Sequence, residues 1–315
     1  MRIVSLLPSA TEIVGILGQL DSLVGISHEC DFPPDVNSKP RVTKCQIHGT
    51  GLPSAEIDRW VTETLWSAGT LYTLDEALIR ELEPDIILTQ RLCDVCAVGY
   101  DSVAAFAATL PGPPQVVNLE PSNLADIFEN IRSVAKMLGI PDRGDAVVSA
   151  LEERVQAVRA RVANLSQRPK CFLMEWIDPP FCSGHWGPEL VELAGGIDPI
   201  GIKGKPSTRI RWERVLEVQP EIIVLACCGC PPQRILDDLP TLQRYPGWES
   251  LPAVRQGHVY VVDGSAYFSR PGPRIVDSLE ILAEVIHPVL FSGCFPERGV
   301  LRLEMAKASG VSSQT

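Results

Sequence analysis

The sequence lacks an apolar run of the roughly 20 residues that a membrane-spanning helix needs. It also lacks an excess of basic residues, since 28 lysines and arginines face 39 acidic residues and leave a net charge of -11. No basic stripe is visible, which argues against a nucleic-acid-binding protein. The G-x-S-x-G and Walker patterns are absent as well, so hydrolase and nucleotide-binding functions have little support.

The first residues have some features of a signal peptide but lack others. An apolar stretch covers residues 3–17, yet Pro8 and Glu12 interrupt it and no A-x-A-like cleavage site follows. The same stretch has the pattern of a strand at residues 2–7 and of a helix that opens at Ser9. We therefore expect that the chain keeps these residues and acts in the cytoplasm.

The length and the pattern of the chain favour two α/β domains. A chain of 315 residues is long for one domain and suits two of about 150 residues each. Short β-branched runs alternate with helical stretches, which is typical of a mostly parallel sheet. The predicted strands cover residues 2–7, 23–27, 85–89, 115–119, 170–175, 221–226 and 259–263, and predicted helices include residues 74–82, 187–194, 212–218 and 275–285.

One internal repeat supports two similar lobes. Residues 78–88 and 214–224 share a helix, a proline (Pro84 or Pro220), an acidic residue and a continuous apolar strand. Proline cannot continue a helix and disfavours helical geometry just before it, so each copy marks a helix-to-strand joint. Such joints are also common in unrelated α/β proteins.

Between the two copies, residues 122–138 and 142–165 have the pattern of helices. A helical connector, unlike a flexible linker, predicts lobes that move little relative to each other. We expect an amino-terminal α/β lobe at residues 1–121, the connector at 122–168, a carboxyl-terminal α/β lobe at 169–291 and a disordered tail at 292–315.

Several short motifs match a known family. They are RIVSLLPSATE at residues 2–12, VGIS at 24–27, DFPP at 31–34, FL at 172–173, DPPF at 178–181, SG at 183–184 and PRI at 273–275, together with the two proline joints. In these motifs the chain resembles the helical-backbone, class III substrate-binding proteins, which serve importers of iron-siderophores, haem and vitamin B12. The motifs from residue 172 onward most resemble the vitamin B12-binding members.

The resemblance implies a periplasmic-binding-protein-like α/β fold with two Rossmann-like lobes and a ligand in the cleft between them. It implies binding and delivery to a transporter without catalysis, with cobalamin or a related corrinoid or metal chelate as the ligand. The family docks on its ABC permease through one surface glutamate per lobe. Glu213 lies at the matching place in the second lobe, whereas the first lobe has Ala77 there and Glu76 one residue away.

Topology locates the candidate ligand contacts. In open α/β sheets, ligands bind beyond the carboxyl ends of the strands. Arg270 could bind a carboxylate, phosphate or amide of the ligand, or could form a salt bridge with Glu120 or Glu175. Where B12-binding members present aromatic side chains, this sequence has Glu29 and Gln90. The expected ligand contacts are Ser5, Pro8, Glu29, Gln90, Glu175, Trp176, Trp186, Tyr267, Phe268 and Arg270.

Cysteines form the most unusual pattern, because eight of the ten lie in loops that follow strands. Cys93 and Cys96 have metal-ligand spacing, and thiolate and imidazole suit zinc, iron or the cobalt of a corrinoid. Inert packing and reactive thiols remain open alternatives, as does a cytosolic metal-handling or thiol-dependent enzyme that reuses the fold. The candidate metal ligands are His28, Cys30, Cys93, Cys96, Cys182, His185 and Cys227.

Overall fold

The computed structural model describes residues 1–45, 47, 51–91 and 98–304, and within these ranges the chain divides into two compact units. Unit 1 comprises Met1–Ala160 and Arg270–Ser278. Unit 2 comprises Arg161–Ser269 and the described residues from Leu279 onward. The chain therefore enters unit 2 near the end of a long helix and contributes a late segment to unit 1.

Unit 1 contains a four-stranded parallel sheet in the order β2-β1-β5-β6 and a separate antiparallel pair, β3-β4. Its strands are β1 (Ile3–Ser5), β2 (Leu23–Ile26), β3 (Thr43–Cys45), β4 (Tyr72–Leu74), β5 (Ile86–Thr89) and β6 (Gln115–Asn118). Its helices are α1 (Pro8–Ile16), α2 (Ser54–Ala68), α3 (Glu76–Leu82), α4 (Tyr100–Ala107) and α5 (Leu124–Met137), and α6 (Pro141–Val162) runs on into unit 2.

Unit 2 contains a five-stranded sheet in the order β11-β10-β9-β7-β8, in which β8 and β11 are antiparallel edges. Its strands are β7 (Cys171–Trp176), β8 (Phe181–Cys182), β9 (Ile222–Leu225), β10 (Val259–Val261) and β11 (Leu301–Arg302). The helices are α7 (Gly187–Leu193), α8 (Trp212–Val218), α9 (Pro232–Gln243), α10 (Pro252–Arg255), α11 (Ile275–Ile286), which begins in unit 1, and α12 (Pro288–Phe291). Single helical turns lie at Leu20–Ser22, Pro34–Ser38, Trp248–Ser250 and Gly264–Phe268.

The predicted α/β class is confirmed, and all seven predicted strands form. In both units the central strands β5 and β9 are buried at every residue. Strands that are covered on both faces need continuous apolar sequence rather than alternation, which is why β-branched runs identified them. The edge strands β8 and β11 have only two residues each, and a segment that short has no periodicity to detect.

The internal repeat is confirmed in detail. Helices α3 and α8 each end in a left-handed residue before the proline, with φ of 40° at Glu83 and 51° at Gln219. The acidic residue after each proline then accepts a hydrogen bond from the backbone N–H of a basic residue at the start of the neighbouring strand. These bonds join Arg2 to Asp85 at 2.6 Å and Lys170 to Glu221 at 2.9 Å.

The same two basic residues also bind the ends of the repeated helices. Arg2 donates its Nε–H to the carbonyl of Leu82 at 2.7 Å, and Lys170 donates its Nζ–H to the carbonyl of Val218 at 2.9 Å. A cation at a helix carboxyl end satisfies an orphan carbonyl and interacts favourably with the helix dipole. The two units therefore share one construction.

One expectation about the end of the chain is wrong for the residues described. The segment expected to be a disordered tail contains β11, which pairs with β10. Arg298, just before it, forms a buried ion pair at 2.6 Å with Glu280 of α11. In addition, no helix in the described ranges is long and apolar enough to cross a membrane.

Candidate functional site

The carboxyl edge of the unit 1 sheet contains a point where the strand order reverses. The chain moves from β1 to β2 on one side of the sheet and from β5 to β6 on the other, so the loops after β1 and β5 diverge. A reversal of this kind creates the crevice where open α/β sheets bind ligands. Ser5, Pro8 and Gln90, all expected ligand contacts, lie at the ends of these two central strands.

Ser5 lies inside this edge and has internal hydrogen-bond partners. It is fully buried, donates to the carbonyl of Leu7 at 3.0 Å and accepts from the Thr11 hydroxyl at 2.8 Å. Ser5 therefore fixes the turn into α1. Pro8, at the first position of α1, is half-buried, and Gln90 is 5% exposed and bridges to Gly99.

His28 and Cys30 follow β2 and are held by hydroxyl groups. The His28 ring Nδ1 lies 2.7 Å from the Thr43 hydroxyl oxygen, and the Cys30 sulfur lies 3.1 Å from the Thr11 hydroxyl oxygen. Burial raises the pKa of the Cys30 thiol to about 11, so this cysteine is protonated at neutral pH. Glu29, between them, is half-buried, and its carboxylate lies 3.9 Å from the His28 ring.

Arg270 belongs to unit 1 and forms ion pairs there. Its guanidinium group binds both carboxylate oxygens of Asp31 and lies 3.3 Å from Glu12. Arg274 donates two hydrogen bonds to Glu12, at 2.6 and 3.0 Å, and packs on the Phe32 ring. Although burial alone would raise the pKa of Asp31, the hydrogen bonds and charge of Arg270 lower it below its ordinary value.

This network corrects the expected salt bridge of Arg270. Its partners include Glu12 and Asp31, whereas Glu120 and Glu175 were the alternatives considered from the sequence. Because Glu12 is 3% exposed and Arg270 is 6% exposed, the pairing lies inside unit 1 and fixes the segment Arg270–Ser278 onto it. Glu12 was not among the residues expected to be functional, because a single acidic residue in an apolar helix gives no sign of its partner.

The carboxyl edge of the unit 2 sheet places Glu175 at the end of β7. Its carboxylate accepts a hydrogen bond from the Gly184 backbone N–H at 3.0 Å and another from the Ser207 side chain. Burial, with a smaller contribution from the nearby Cys228 thiol, raises the pKa of Glu175 to about 8. A carboxyl group that is largely protonated near neutrality can donate a hydrogen bond to a neutral amide or carbonyl oxygen.

Aromatic side chains lie along the same edge of unit 2. Trp176 and Tyr267 are half-buried, and the half-buried ring of His185 stacks on Trp186 with a centroid separation of 5.5 Å. Trp186 is 8% exposed and donates its indole N–H to the carbonyl of Phe268, itself 6% exposed, at 3.0 Å. Trp186 and Phe268 thus form the buried support, while Trp176, His185 and Tyr267 keep exposed surface.

His185 has two features that the sequence did not reveal. Its φ is 48°, in the left-handed region that few non-glycine residues adopt. Its backbone N–H donates to the carbonyl of Lys205 at 2.6 Å, which holds this conformation. Burial lowers the pKa of the His185 ring, so the neutral imidazole predominates at neutral pH.

The cysteines proposed as metal ligands are largely buried. Cys182 and Cys227 are each 3% exposed, and the Cys182 sulfur contacts the Thr208 hydroxyl at 3.4 Å. Cys93 and Cys96 lie outside the described residues. Within the described ranges, no three histidine, cysteine, aspartate or glutamate side chains are arranged to hold a metal ion.

Comparison with known proteins identifies the class. A family model described as "Periplasmic binding protein" matches residues 3–266, and the chain belongs to that family. The members are solute-binding proteins rather than enzymes, which confirms that part of the prediction.

Two relatives illustrate the resemblance. The vitamin B12-binding protein of Vibrio cholerae is 23% identical over 290 residues, which cover 89% of this chain and 86% of the relative. The solved structure of the periplasmic heme-binding protein RhuT from Roseiflexus sp. RS-1 matches with a TM-score of 0.69 at 22% identity, covering 92% of this chain and 98% of that one.

A third comparison joins sequence and structure. The solved vitamin B12-binding protein BtuF of Vibrio cholerae matches with a TM-score of 0.66 at 22% identity, covering 92% of this chain and 98% of that one. At this identity the solved structures establish the fold. The expected class III binding-protein architecture is therefore confirmed.

Proposed function

We propose that this protein is the substrate-binding component of an importer and that its cargo is cobalamin or a related corrinoid or metal chelate. Family membership supports the binding role, and relatives named as vitamin B12-binding proteins match over most of the chain. The observation that favours this cargo is the group of aromatic side chains at the carboxyl edge of the unit 2 sheet. Trp176, His185 and Tyr267 offer flat, amphipathic surface, which suits a planar macrocycle better than a sugar or an amino acid.

A titration with cyanocobalamin tests this proposal. Trp176→Ala and Tyr267→Ala should each weaken binding about tenfold or more, because a buried aromatic contact is worth on the order of 1–3 kcal/mol. Trp66→Ala is the matched control, since Trp66 is 92% exposed on α2 of unit 1 and should not change affinity. Equal affinity in all variants, or no binding by the parent, would contradict the proposal.

Haem is the second candidate cargo, and one observation favours it. The neutral ring of His185 has a nitrogen lone pair suited to an iron or cobalt centre. A solved heme-binding protein also shares the fold. Addition of hemin should shift its visible absorption if His185 ligates the iron, and His185→Ala should remove the shift. An unchanged spectrum in both proteins would leave the corrinoid as the better candidate.

For a zinc or iron ion bound directly by cysteine and histidine, the described residues give no cluster in support. Cys93 and Cys96 are outside the described ranges, so elemental analysis of the purified protein tests this directly. Stoichiometric zinc that disappears in Cys93→Ser would revive the metal-handling alternative.

We further propose docking to an ABC permease through Glu213 with Glu76 as its counterpart. Both side chains are exposed, and both lie in the first turn of the two repeated helices, α8 and α3. Glu213→Lys and Glu76→Lys should abolish cargo delivery to transporter vesicles from the host while leaving cargo binding intact. Glu56→Lys, on the exposed face of α2, is the control.

We propose a cytoplasmic location as the alternative to an importer role, since a binding protein inside the cell would hold its cargo rather than deliver it to an import permease. Residues 3–16 supply β1, a central strand of the unit 1 sheet, and α1, so their removal would delete part of the fold. The ten cysteines also suit a reducing compartment. Amino-terminal sequencing that finds processing after residue 15, or fractionation with exported proteins, would overturn it.

A further inference from the structure

Three cysteines occupy one four-residue turn in unit 2, directly after β9. The backbone N–H of Cys230 donates to the carbonyl of Cys227 at 3.0 Å, which closes a turn across Cys228 and Gly229. Gly229 has a φ of 67°, a conformation that glycine adopts without strain. A turn of this type brings its first and fourth Cα atoms within about 7 Å, and disulfides span Cα separations of about 4.4–6.8 Å.

The three thiols differ in their access to solvent. Cys227 and Cys230 are buried, at 3% and 8% exposure, whereas Cys228 is exposed, and all three are reduced in the structure. Burial raises the pKa of Cys227 well above its ordinary value and that of Cys230 to about 12, and each cysteine is further affected by its neighbours in the turn. Cys227 and Cys230 are therefore protonated at neutral pH, and the cysteine that faces solvent is Cys228.

The turn is fixed on two sides by other parts of unit 2. On one side, the backbone N–H of Cys228 donates to the carbonyl of Glu175, at the end of β7, at 2.9 Å. On the other side, the Ser265 N–H donates to the carbonyl of Cys230 at 3.3 Å. A Cβ atom added at Gly264 would lie 2.1 Å from the Cys227 carbonyl oxygen, so the helical turn Gly264–Phe268 packs directly against the cysteines.

We propose that Cys227 and Cys230 form a reversible disulfide across this turn by exchange with a low-molecular-weight disulfide, and that Cys228 is the thiol at which the exchange begins. The thiolate of Cys228 attacks one sulfur of the small disulfide, whose S–S bond breaks and releases one small thiol. Cys230 then attacks the mixed disulfide at Cys228 and releases the second small thiol. Cys227 finally displaces Cys228 from Cys230.

The electron balance closes over these steps. Two protein thiols lose two electrons and two protons, and the small disulfide is reduced to two small thiols. Cys228 is regenerated as a free thiol. The pair Cys227 and Cys230 is the end point because a ring that encloses one residue, as between Cys228 and Cys230, is more strained than one that spans the whole turn.

Oxidation should also stiffen the neighbouring segment. The hydrogen bond from Ser265 and the close packing of Gly264 connect the cysteine turn to the segment that carries Tyr267 and Phe268. A covalent link across the turn reduces its freedom to open, so amide hydrogens in residues 263–269 should exchange more slowly in the oxidised protein.

The test uses the full chain with Cys93→Ser and Cys96→Ser, because these residues form the other C-x-x-C pattern. Incubation with glutathione disulfide should lower the intact mass by two hydrogens, and peptide mapping should find the Cys227–Cys230 link. Addition of reduced glutathione should reverse it. No loss of mass, or a link between other cysteines, would overturn the proposal.

Variants separate the roles of the three thiols. Cys227→Ser and Cys230→Ser should each abolish the Cys227–Cys230 link, while Cys228→Ser should reach the same end point about tenfold more slowly, since the buried thiols react poorly. Cys294→Ser, which removes another exposed thiol of unit 2, should behave like the parent. An unchanged rate in Cys228→Ser would overturn the proposal that exchange begins at Cys228. Peptide mapping of the unsubstituted protein, with all ten cysteines present, should find the same Cys227–Cys230 link.

Discussion

At the scale of single residues, Arg270 is a case whose partners could not be predicted from the sequence. Its place in the sequence left a ligand contact and a salt bridge both open, but its ion-pair partners Glu12 and Asp31 are 258 and 239 positions away. Nothing local in the sequence encodes a contact at that separation. The structure shows that the charge of Arg270 is already neutralised inside unit 1, so a ligand would have to compete with two carboxylates for it.

Removal of this guanidinium group should destabilise the protein. Arg270→Met leaves Glu12, which is 3% exposed, with a single strong partner in Arg274 and removes the bidentate partner of Asp31. We expect a loss of about 2–4 kcal/mol in the free energy of unfolding, measured by urea denaturation at pH 7.

Two comparisons sharpen that experiment. Arg80→Met breaks an exposed pair with Glu76, 3.6 Å apart, and should cost less than about 0.5 kcal/mol. Replacing Glu12 by glutamine in the Arg270→Met protein should lower stability further, because Arg274 then loses the buried carboxylate that pairs with it. A loss in Arg270→Met no larger than in Arg80→Met would show that the network does not stabilise unit 1.

Glu175 should give the protein a distinctive dependence of stability on pH. Its pKa rises from 4.5 to about 8 on folding, so the folded state holds this proton more tightly. The stability that this provides is complete below about pH 4.5 and is lost as the pH rises toward 8. The groups around the carboxyl are the Gly184 N–H, the Ser207 hydroxyl, the Cys228 thiol and the Asp198 carboxyl.

Glutamine resembles the protonated form of Glu175 and does not titrate, so the stability of Glu175→Gln should not fall in this way as the pH rises toward 8. At pH 5 the variant and the parent should unfold at similar temperatures, whereas at pH 9 the variant should be more stable by on the order of 2 kcal/mol, after allowance for partial exposure. Calorimetric scans across this pH range measure the difference. A gap between the two proteins that is constant with pH would mean that Glu175 does not titrate in this range.

At the scale of secondary-structure elements, the sequence predicted what is local and buried. The helix–proline–strand joints were visible because proline fixes the helix end and the following strand is wholly apolar. The hydrogen bonds that hold each joint could not be predicted from the sequence. They come from Arg2 and Lys170, which lie 83 and 51 positions from the acidic residues that they bind. The short edge strands β8 and β11 were not predicted, because two residues are too few to show a hydrophobic period.

The left-handed residues that end α3 and α8 allow a test of the repeat. Glu83→Gly should raise stability by up to about 1 kcal/mol, because glycine adopts a φ of 40° without strain. Gln219→Gly should gain less, since the Gln219 side chain donates a hydrogen bond of 2.6 Å to the carbonyl of Leu216.

The matched control for these substitutions is Glu81→Gly, inside α3, which should cost about 1 kcal/mol. Thermal unfolding of the three variants beside the parent provides the comparison. Equal destabilisation by Glu83→Gly and Glu81→Gly would show that the joint is not strained in the way its backbone angle indicates.

At the scale of the whole molecule, the class of fold and the family were readable from the sequence, and the binding surface was readable only as a set of loops. Topology placed Gln90, Glu175 and Tyr267 at carboxyl edges of sheets. Topology could not predict which of the expected ligand contacts and metal ligands would be buried, because burial depends on packing between distant segments. Ser5, Cys30 and Cys227 also lie at or after the carboxyl ends of strands, but their side chains are buried.

Native mass spectrometry of the protein, mixed with equimolar cyanocobalamin, hemin and zinc, tests the proposed cargo most directly. We expect one cobalamin per chain, with an affinity of about 1 μM or tighter. Trp176→Ala should reduce that complex, whereas Trp66→Ala should not. A folded protein that retains only zinc, or that forms no complex with either macrocycle, would contradict the proposal that this protein carries a metal chelate.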